Sequence, residues 1–342
     1  MYAHIAGGSG DEKALAANRA ALARYHIHPR VLVDCREGHT AIELFGERFA
    51  HPVLLAPVSH HALVHPDGEI ATAQAADAQE TGMIVSTLSS VRLERVAAAL
   101  RRNRWFQLYF QPDWRATASL VARAADAGYG AIVATVDAPV SGMRNRAERA
   151  GFRLPPEVRS ANLEFGEPTP APLAPGASRV FQGAMAHAPT WDDVRRLRAH
   201  THLPILLKGV MHPDDVRRAL DLGVNGLVVS NHGGRALDEA PAPLEVLASI
   251  RAAAGPAVPL LVDGGFRRGG EVFVALALGA DAVLIGRPQL YALAVDGAIG
   301  VARMLRLIRD ELELTMALAG CPTVADIDAS CLLNVPAEAR GS

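Results

Sequence analysis

The stretch PILLKGVMHPDDVRRALDLGVNGLVVSNHGGR, residues 204–235, holds one complete structural unit. Two apolar runs, PILLK (204–208) and GLVVS (226–230), flank DDVRRALDL (214–222), whose apolar residues recur at helical spacing. Pro213, Asp214 and Asp215 supply a preset φ and two acids where a helix N-terminus favours them. Apolar runs without alternation suit strands covered on both faces, as in a parallel sheet. The segment therefore reads as strand, helix, strand, and it ends in a serine, an asparagine, a histidine, two glycines and an arginine.

Outward from this unit the same rhythm extends from about residue 50. The strand candidates are PVLLA (52–56), MIVST (83–87), WFQLY (105–109), AIVAT (131–135), the two above, PLLVD (259–263) and AVLIG (282–286). Between them lie helical stretches such as EIATAQAADAQE, VRLERVAAALRR, WRATASLVARAADA, LEVLASIRAAA and GEVFVALALG. Thr190, Trp191, Asp192 and Asp193 mark a further helix start. Eight strands in unbroken series favour an α/β fold of the (β/α)8 TIM barrel type over a doubly wound open sheet. The expectation is a single domain over residues 1–342. Residues 1–50 would form a cap segment, with a short helix (11–25) and a hairpin covering the barrel floor. Residues 145–190 carry seven prolines and little periodicity. Such a stretch is expected to be a mobile loop over the barrel mouth.

Composition narrows the class. Half of the 342 residues are hydrophobic and 20% are charged, with a net charge of −2. That suits a soluble enzyme and gives no reason to expect a nucleic-acid or membrane partner. Cys35, Cys321 and Cys331 are too few and too scattered for a disulfide framework or a zinc site, which fits a reducing cytoplasm. No apolar run of about 18 residues is present, and the N-terminus has no signal-peptide pattern. His60, His61 and His65 lack a fixed ligand geometry, so no metal is expected.

In a barrel the strand C-termini and the loops after them carry the chemistry. Here the third strand ends at Gln107 and Tyr109, and the fourth at Thr135 and Asp137 with Arg144 beyond. The fifth ends in Lys208, the sixth in Ser230 and His232, the seventh in Asp263, Gly264 and Gly265, and the eighth in Gly286 and Arg287. Any one of these alone reads as a cap or a solvated loop residue; six neighbouring strands ending this way do not. DGGFRRGG and IGRP offer unobstructed backbone N–H groups beside Arg267 and Arg287, a phosphate cradle. Lys208, on an apolar strand, either snorkels to water or faces an electron-rich cofactor such as a flavin. His232 has the chemistry of a general base, with Asp137 stabilising its protonated form. Arg144 and Arg235 suit a bidentate grip on a carboxylate.

QLY, TVD, LLKGV, SNHGGR, DGGFRRG and IGRP together resemble the FMN-dependent 2-hydroxy acid dehydrogenase/oxidase family, in order from AGGSGDEKALAANR to GCPTVADI. The resemblance implies FMN as cofactor and oxidation of a 2-hydroxy acid to the 2-oxo acid, with O2 or another electron acceptor. His232 would be the base, paired with Asp137. Arg144 and Arg235 would hold the carboxylate, and Tyr109 would bond near the hydroxyl. Lys208 would approach the flavin N1/O2 edge. The remaining cofactor contacts would come from Pro57, Val58, Ser59, Ser89, Gln107, Thr135, Ser230 and Gly233, with Asp263, Gly264, Gly265, Arg267, Gly286 and Arg287 around ribityl and phosphate. A homo-oligomer, commonly a tetramer, is implied as well.

Departures from the family pattern bear on specificity. His4 stands where a carboxylate-binding tyrosine is usual, with Tyr2 close by, and the chain starts where the family has a preceding helix. Ser59 occupies the flavin N5 side, so oxidase and dehydrogenase both stay open. Val91 and Ser141 replace bulkier residues, which points to a roomier pocket and a larger or aromatic, mandelate-like L-2-hydroxy acid. Two alternatives are an FMN barrel with a non-oxidative reaction such as isomerisation, and a non-catalytic flavin-binding protein. His232, Arg235 and Arg144 argue against both.

Overall fold

The computed structural model describes residues 1–163 and 173–333. The chain begins with α1 (Tyr2–Ala6), α2 (Lys13–Leu22), β1 (His26–Ile27) and a hairpin of β2 (Ile42–Leu44) and β3 (Glu47–Phe49). There follow β4 (Val53–Leu55), α3 (Gly68–Ala78), β5 (Met83–Ser86), α4 (Leu93–Ala99), β6 (Arg104–Leu108), α5 (Trp114–Asp126), β7 (Ala131–Thr135) and α6 (Asn145–Arg149). The second half holds α7 (Trp191–His200), β8 (Ile205–Lys208), α8 (Pro213–Asp221), β9 (Gly226–Val229), α9 (Pro243–Ala254), β10 (Leu260–Val262), α10 (Gly269–Ala277), β11 (Ala282–Ile285) and α11 (Arg287–Ala319). Strands β4 to β11 are all parallel and close into a barrel, with β11 pairing β4. All eight expected strands are present, each within two residues of its expected bounds.

Strand side chains alternate between two cores. Leu54, Ile84, Trp105, Val133, Leu206, Val228, Leu261 and Leu284 fill the barrel interior. Their neighbours Val53, Leu55, Val85, Phe106, Leu207 and Val229 face outward and pack under the helices. Because both faces are covered, the strands show no polar alternation. The helices show the opposite pattern: α8 buries Val216 and Ala219 and leaves its acids and arginines in water. Thr190 and Asp193 close a reciprocal cap on α7, as their spacing implied.

The hairpin does cover the floor. Leu44 and Phe49 join the interior cluster, Phe49 meets Trp105 edge-to-face at 5.8 Å, and Trp105 Nε1 donates to Glu47 at 2.9 Å. The N-terminal helix does not. Asn18 on α2 exchanges hydrogen bonds with Asn231, and Arg19 bonds the Gly265 carbonyl, so α2 packs over the mouth. Its position depends on contacts with residues more than 200 positions away, which helical periodicity cannot report.

The described parts of the 145–190 segment, residues 145–163 and 173–190, are more structured than their proline content suggests. Besides α6, it docks through Asn162, which accepts from Leu93 N at 2.8 Å and donates to Ser89 Oγ at 2.8 Å. Ser178 caps a helical turn over Arg179–Gly183. The expected loop also spans residues 164–172, which lie outside the described residues. At the C-terminal end α11 breaks at Asp296 and Gly297, and β12 (Leu332–Leu333) pairs antiparallel with β1. The three cysteines are free thiols, yet Cys321 and Cys331 are not scattered in space: their sulfurs lie 3.6 Å apart. Among the described residues no helix is long and apolar enough to cross a membrane.

Candidate active site

The turn after β9 is the centre of the site. His232, Gly233 and Gly234 all have positive φ, at 59°, 63° and 73°. For a histidine this is an unfavourable backbone region that the surroundings must impose. Asn231 does so, bonding Asn18, the Pro241 carbonyl and Gly234 N. Gly234 has no alternative residue, since a Cβ there would lie 2.6 Å from Leu15 N. The result aims the His232 ring at Asp137, with Nδ1 at 2.9 Å from Oδ1. With Nδ1 donating to that carboxylate, Nε2 is the nitrogen left to accept a proton.

Asp137 is buried at the end of β7, close under Gly209. Burial alone would raise its carboxyl, but Lys208 and His232 outweigh that and hold it below its ordinary value. Lys208 ends β8, sealed inside the barrel, with Nζ donating to Ser230 Oγ at 2.7 Å and lying 3.0 Å from Asp263 Oδ2. Burial opposes its charge, yet Asp263 and Asp137 together raise it. It does not snorkel: it is a buried, paired cation. Tyr109, pushed up by burial, keeps its phenol proton.

Three guanidiniums converge on the opposite side. Burial, then Arg144 and Arg287, pull Arg235 down to about 9. Burial and Arg287 likewise lower Arg144, whose Nη1 has no partner. Arg235 Nη1 donates to the carbonyls of His4 at 2.9 Å and Gly7 at 2.8 Å. Arg287 donates to Ile5, Gly7 and Gly233 carbonyls, each at 2.9 Å. Among the described residues none of the three forms an ion pair with a carboxylate, and crowded cations of this kind suit an anion.

One cavity of about 1250 Å³, counting its open mouth, lies against these groups, although Arg144 is not among its lining residues. Pro57, Val58, Ser59, Gln107, Tyr109, Thr135, Lys208, His232, Gly233, Arg235, Asp263, Gly264, Gly265, Arg267, Gly286 and Arg287 all line it. Asp137 and Ser230 stand behind this wall, orienting His232 and Lys208. Gln107 Nε2, Thr135 Oγ1 and Asp263 Oδ1 are buried without any partner. Buried donors and acceptors left open are costly unless a ligand meets them. Two donors and an acceptor beside a buried ammonium fit the polar edge and side chain of a flavin.

Three expectations need correction. Ser89 does not reach the cavity: its hydroxyl donates to the Val91 carbonyl and accepts from Asn162. Ser86, at the end of β5, lines the cavity instead. The strand-end rule that found the other residues points to it too, had it been applied to the second strand. Neither Val91 nor Ser141 lines the cavity; Val91 packs on the outer core and Ser141 is exposed. His4, which stands at the position of the family's carboxylate-binding tyrosine, lines it, as do Arg19, Leu63 and Leu88, for which no role was expected. They arrive from α1, α2 and loops whose placement is purely tertiary. The histidines of HHALVH diverge: His60 meets Ser160, His61 meets Thr72, and His65 accepts from Asp67 N.

Comparison with known proteins gives one consistent result. The family model described as FMN-dependent dehydrogenase matches residues 1–334. The chain is 54% identical over 327 residues to an L-lactate oxidase of Alicycliphilus denitrificans, covering 95% of this chain and 90% of that one. It is 46% identical over 325 residues to a 4-hydroxymandelate oxidase of Amycolatopsis orientalis, covering 95% and 91%. A crystal structure of mandelate oxidase with (S)-2-phenylpropionate superposes with a TM-score of 0.86 at 46% identity, covering 96% of this chain and 91% of that one. With a barrel whose strand ends carry a histidine–aspartate pair, a buried lysine and an anion pocket, the chain belongs to the FMN-dependent dehydrogenase family.

Proposed function

We propose that this protein uses FMN to oxidise an L-2-hydroxy acid to the 2-oxo acid, with O2 as final acceptor and larger or aromatic acids preferred. The observation that carries this reading is His232, backed by Asp137, lining the same cavity as Tyr109 and Arg235. FMN, when bound, supplies the two-electron acceptor. The rest is done by the chain. Arg235 and Arg144 take the carboxylate, which relieves their mutual repulsion. Tyr109, a buried and protonated phenol, donates to the substrate hydroxyl. His232 Nε2 removes the substrate proton, and the Asp137 carboxylate stabilises the imidazolium that forms. Lys208, charged and fixed between Ser230 and Asp263, stabilises negative charge on the cofactor edge. Gln107, Thr135 and Ser86 would hold that edge, and Pro57, Val58 and Ser59 would border the ring. Arg267, the glycines Gly264, Gly265 and Gly286, and Arg19 would hold the phosphate end. Arg287 serves mainly as a clamp on the N-terminal segment, since three of its N–H groups are already spent.

The working unit is read as one domain, in the cytoplasm, assembled as a homo-tetramer. Support for assembly comes from α11, where Val295, Ile299, Leu307, Leu314 and Leu318 are large, apolar and exposed. Three free thiols agree with a reducing compartment. Anaerobic mixing of the FMN-loaded protein with L-2-hydroxy acids tests the reading. Loss of the oxidised flavin's visible absorbance with formation of 2-oxo acid supports it, and an unreactive flavin refutes it.

A further inference from the structure

Unlike Val91 and Ser141, His4 reaches the cavity. It sits on α1, held in place from below by its own carbonyl, which accepts from Arg235 Nη1 at 2.9 Å. Its ring stacks on Phe152, with centroids 4.2 Å apart and planes 16° from parallel. Phe152 follows α6, so the stack joins the N-terminal segment to the loop after β7. The imidazole is within electrostatic range of both Arg235 and Arg144. Burial and these two cations hold it at about 4, so the ring is neutral at working pH. A neutral ring beside two guanidiniums does not compete for the carboxylate; it offers a flat, weakly polar surface.

We propose that His4, backed by Phe152, is the surface against which the C2 substituent of the substrate rests, selecting planar aromatic groups. The inference rests on the function proposed above and adds the specificity determinant to it. Its physical basis is one shared anchor. Arg235 is expected to grip the carboxylate while it fixes the backbone of His4, so the carboxylate and the ring keep a set separation. A substituent leaving C2 on that side meets the imidazole before it meets solvent. One face of the imidazole is already covered by Phe152, which denies it rotational freedom and pre-pays the ordering of the platform. An aryl group extends an existing two-ring stack, an arrangement aromatic rings favour beyond area burial alone. A methyl group, as on lactate, leaves most of that surface wet. Leu63 and Leu88, also in the cavity wall, continue the apolar lining.

The test compares wild type, His4→Ala, His4→Phe and Phe152→Leu with two readouts. The first is the ratio of kcat/KM for L-mandelate to that for L-lactate. The second is the association constant (1/Kd) of phenylacetate relative to that of acetate, neither of which has a hydroxyl to oxidise. The expected result is a fall of about tenfold in both ratios for His4→Ala, the upper worth of a stacked pair. His4→Phe restores both, and Phe152→Leu gives a smaller loss in the same direction. Equal losses on both acids, or an unchanged phenylacetate-to-acetate ratio in His4→Ala, overturn the proposal. Binding is read without turnover, so a failure of 2-hydroxy acid oxidation itself is seen separately in the wild type.

Discussion

His232 carries the most at the residue scale, and its backbone shows the cost. A non-glycine residue at φ 59° is retained because Asn231, Asn18 and two following glycines fix the turn. In return, Nδ1 is committed to Asp137 and Nε2 is free toward the cavity. His232→Ala is expected to keep FMN bound, since the ring is held mainly by other residues. Its rate of flavin reduction should fall by about 10²–10⁴-fold, the usual worth of a positioned base. Stopped-flow reduction by substrate measures this; a loss under about tenfold contradicts the assignment. Most of this site was legible in the sequence, because strand ends in a barrel point one way. Ser89 was not: in STLSS several hydroxyls follow the strand, and only the packing of Asn162 decides which one turns away.

Among the elements, the barrel strands were the easiest to read. Both faces are buried, so each appears as a run of four or five apolar residues with no helical alternative nearby. The elements that shape specificity were not legible. Only α2 reads as a helix from its pattern, and the place of α1 and α2 over the mouth follows from Asn18, Arg19 and the carbonyls of His4 and Gly7. The close approach of β8 to β7 supplies a prediction. Gly209 follows Lys208 with φ +105°, and a Cβ there would lie 2.3 Å from the Asp137 Cβ. Gly209→Ala therefore has to move Asp137 away from His232. A displacement near 1 Å costs on the order of 10²-fold in rate, so kcat should fall steeply while FMN binding changes little. Retention of wild-type kcat would show that Asp137 does not orient the base.

The whole molecule carries an acid-sensitive core. His51 is fully buried between the hairpin and β4, accepting from Val53 N, with Nε2 unpaired. Burial first, and Arg309 second, lower it from 6.5 to about 4. Because the folded value lies below the unfolded one, the neutral ring's contribution is complete above pH ~6.5 and is lost as pH falls toward 4. The loss is on the order of 3 kcal/mol for this residue. His61, also buried and lowered, acts in the same direction. Urea unfolding of the FMN-free protein at pH 7 and pH 5 checks this, with a lower midpoint expected at pH 5. An unchanged midpoint would mean that the buried histidines carry no such linkage. Lys208 with Asp263, and His232 with Asp137, form a separate charge arrangement at the strand ends, with partners other than those of His51 and His61. The most direct test of that arrangement's purpose is anaerobic mixing of the FMN-loaded protein with L-mandelate and L-lactate. The oxidised flavin's absorbance is expected to disappear, one 2-oxo acid to form per flavin, and air to restore the colour. A flavin that stays oxidised with every 2-hydroxy acid, although the acid binds, would contradict the proposed function.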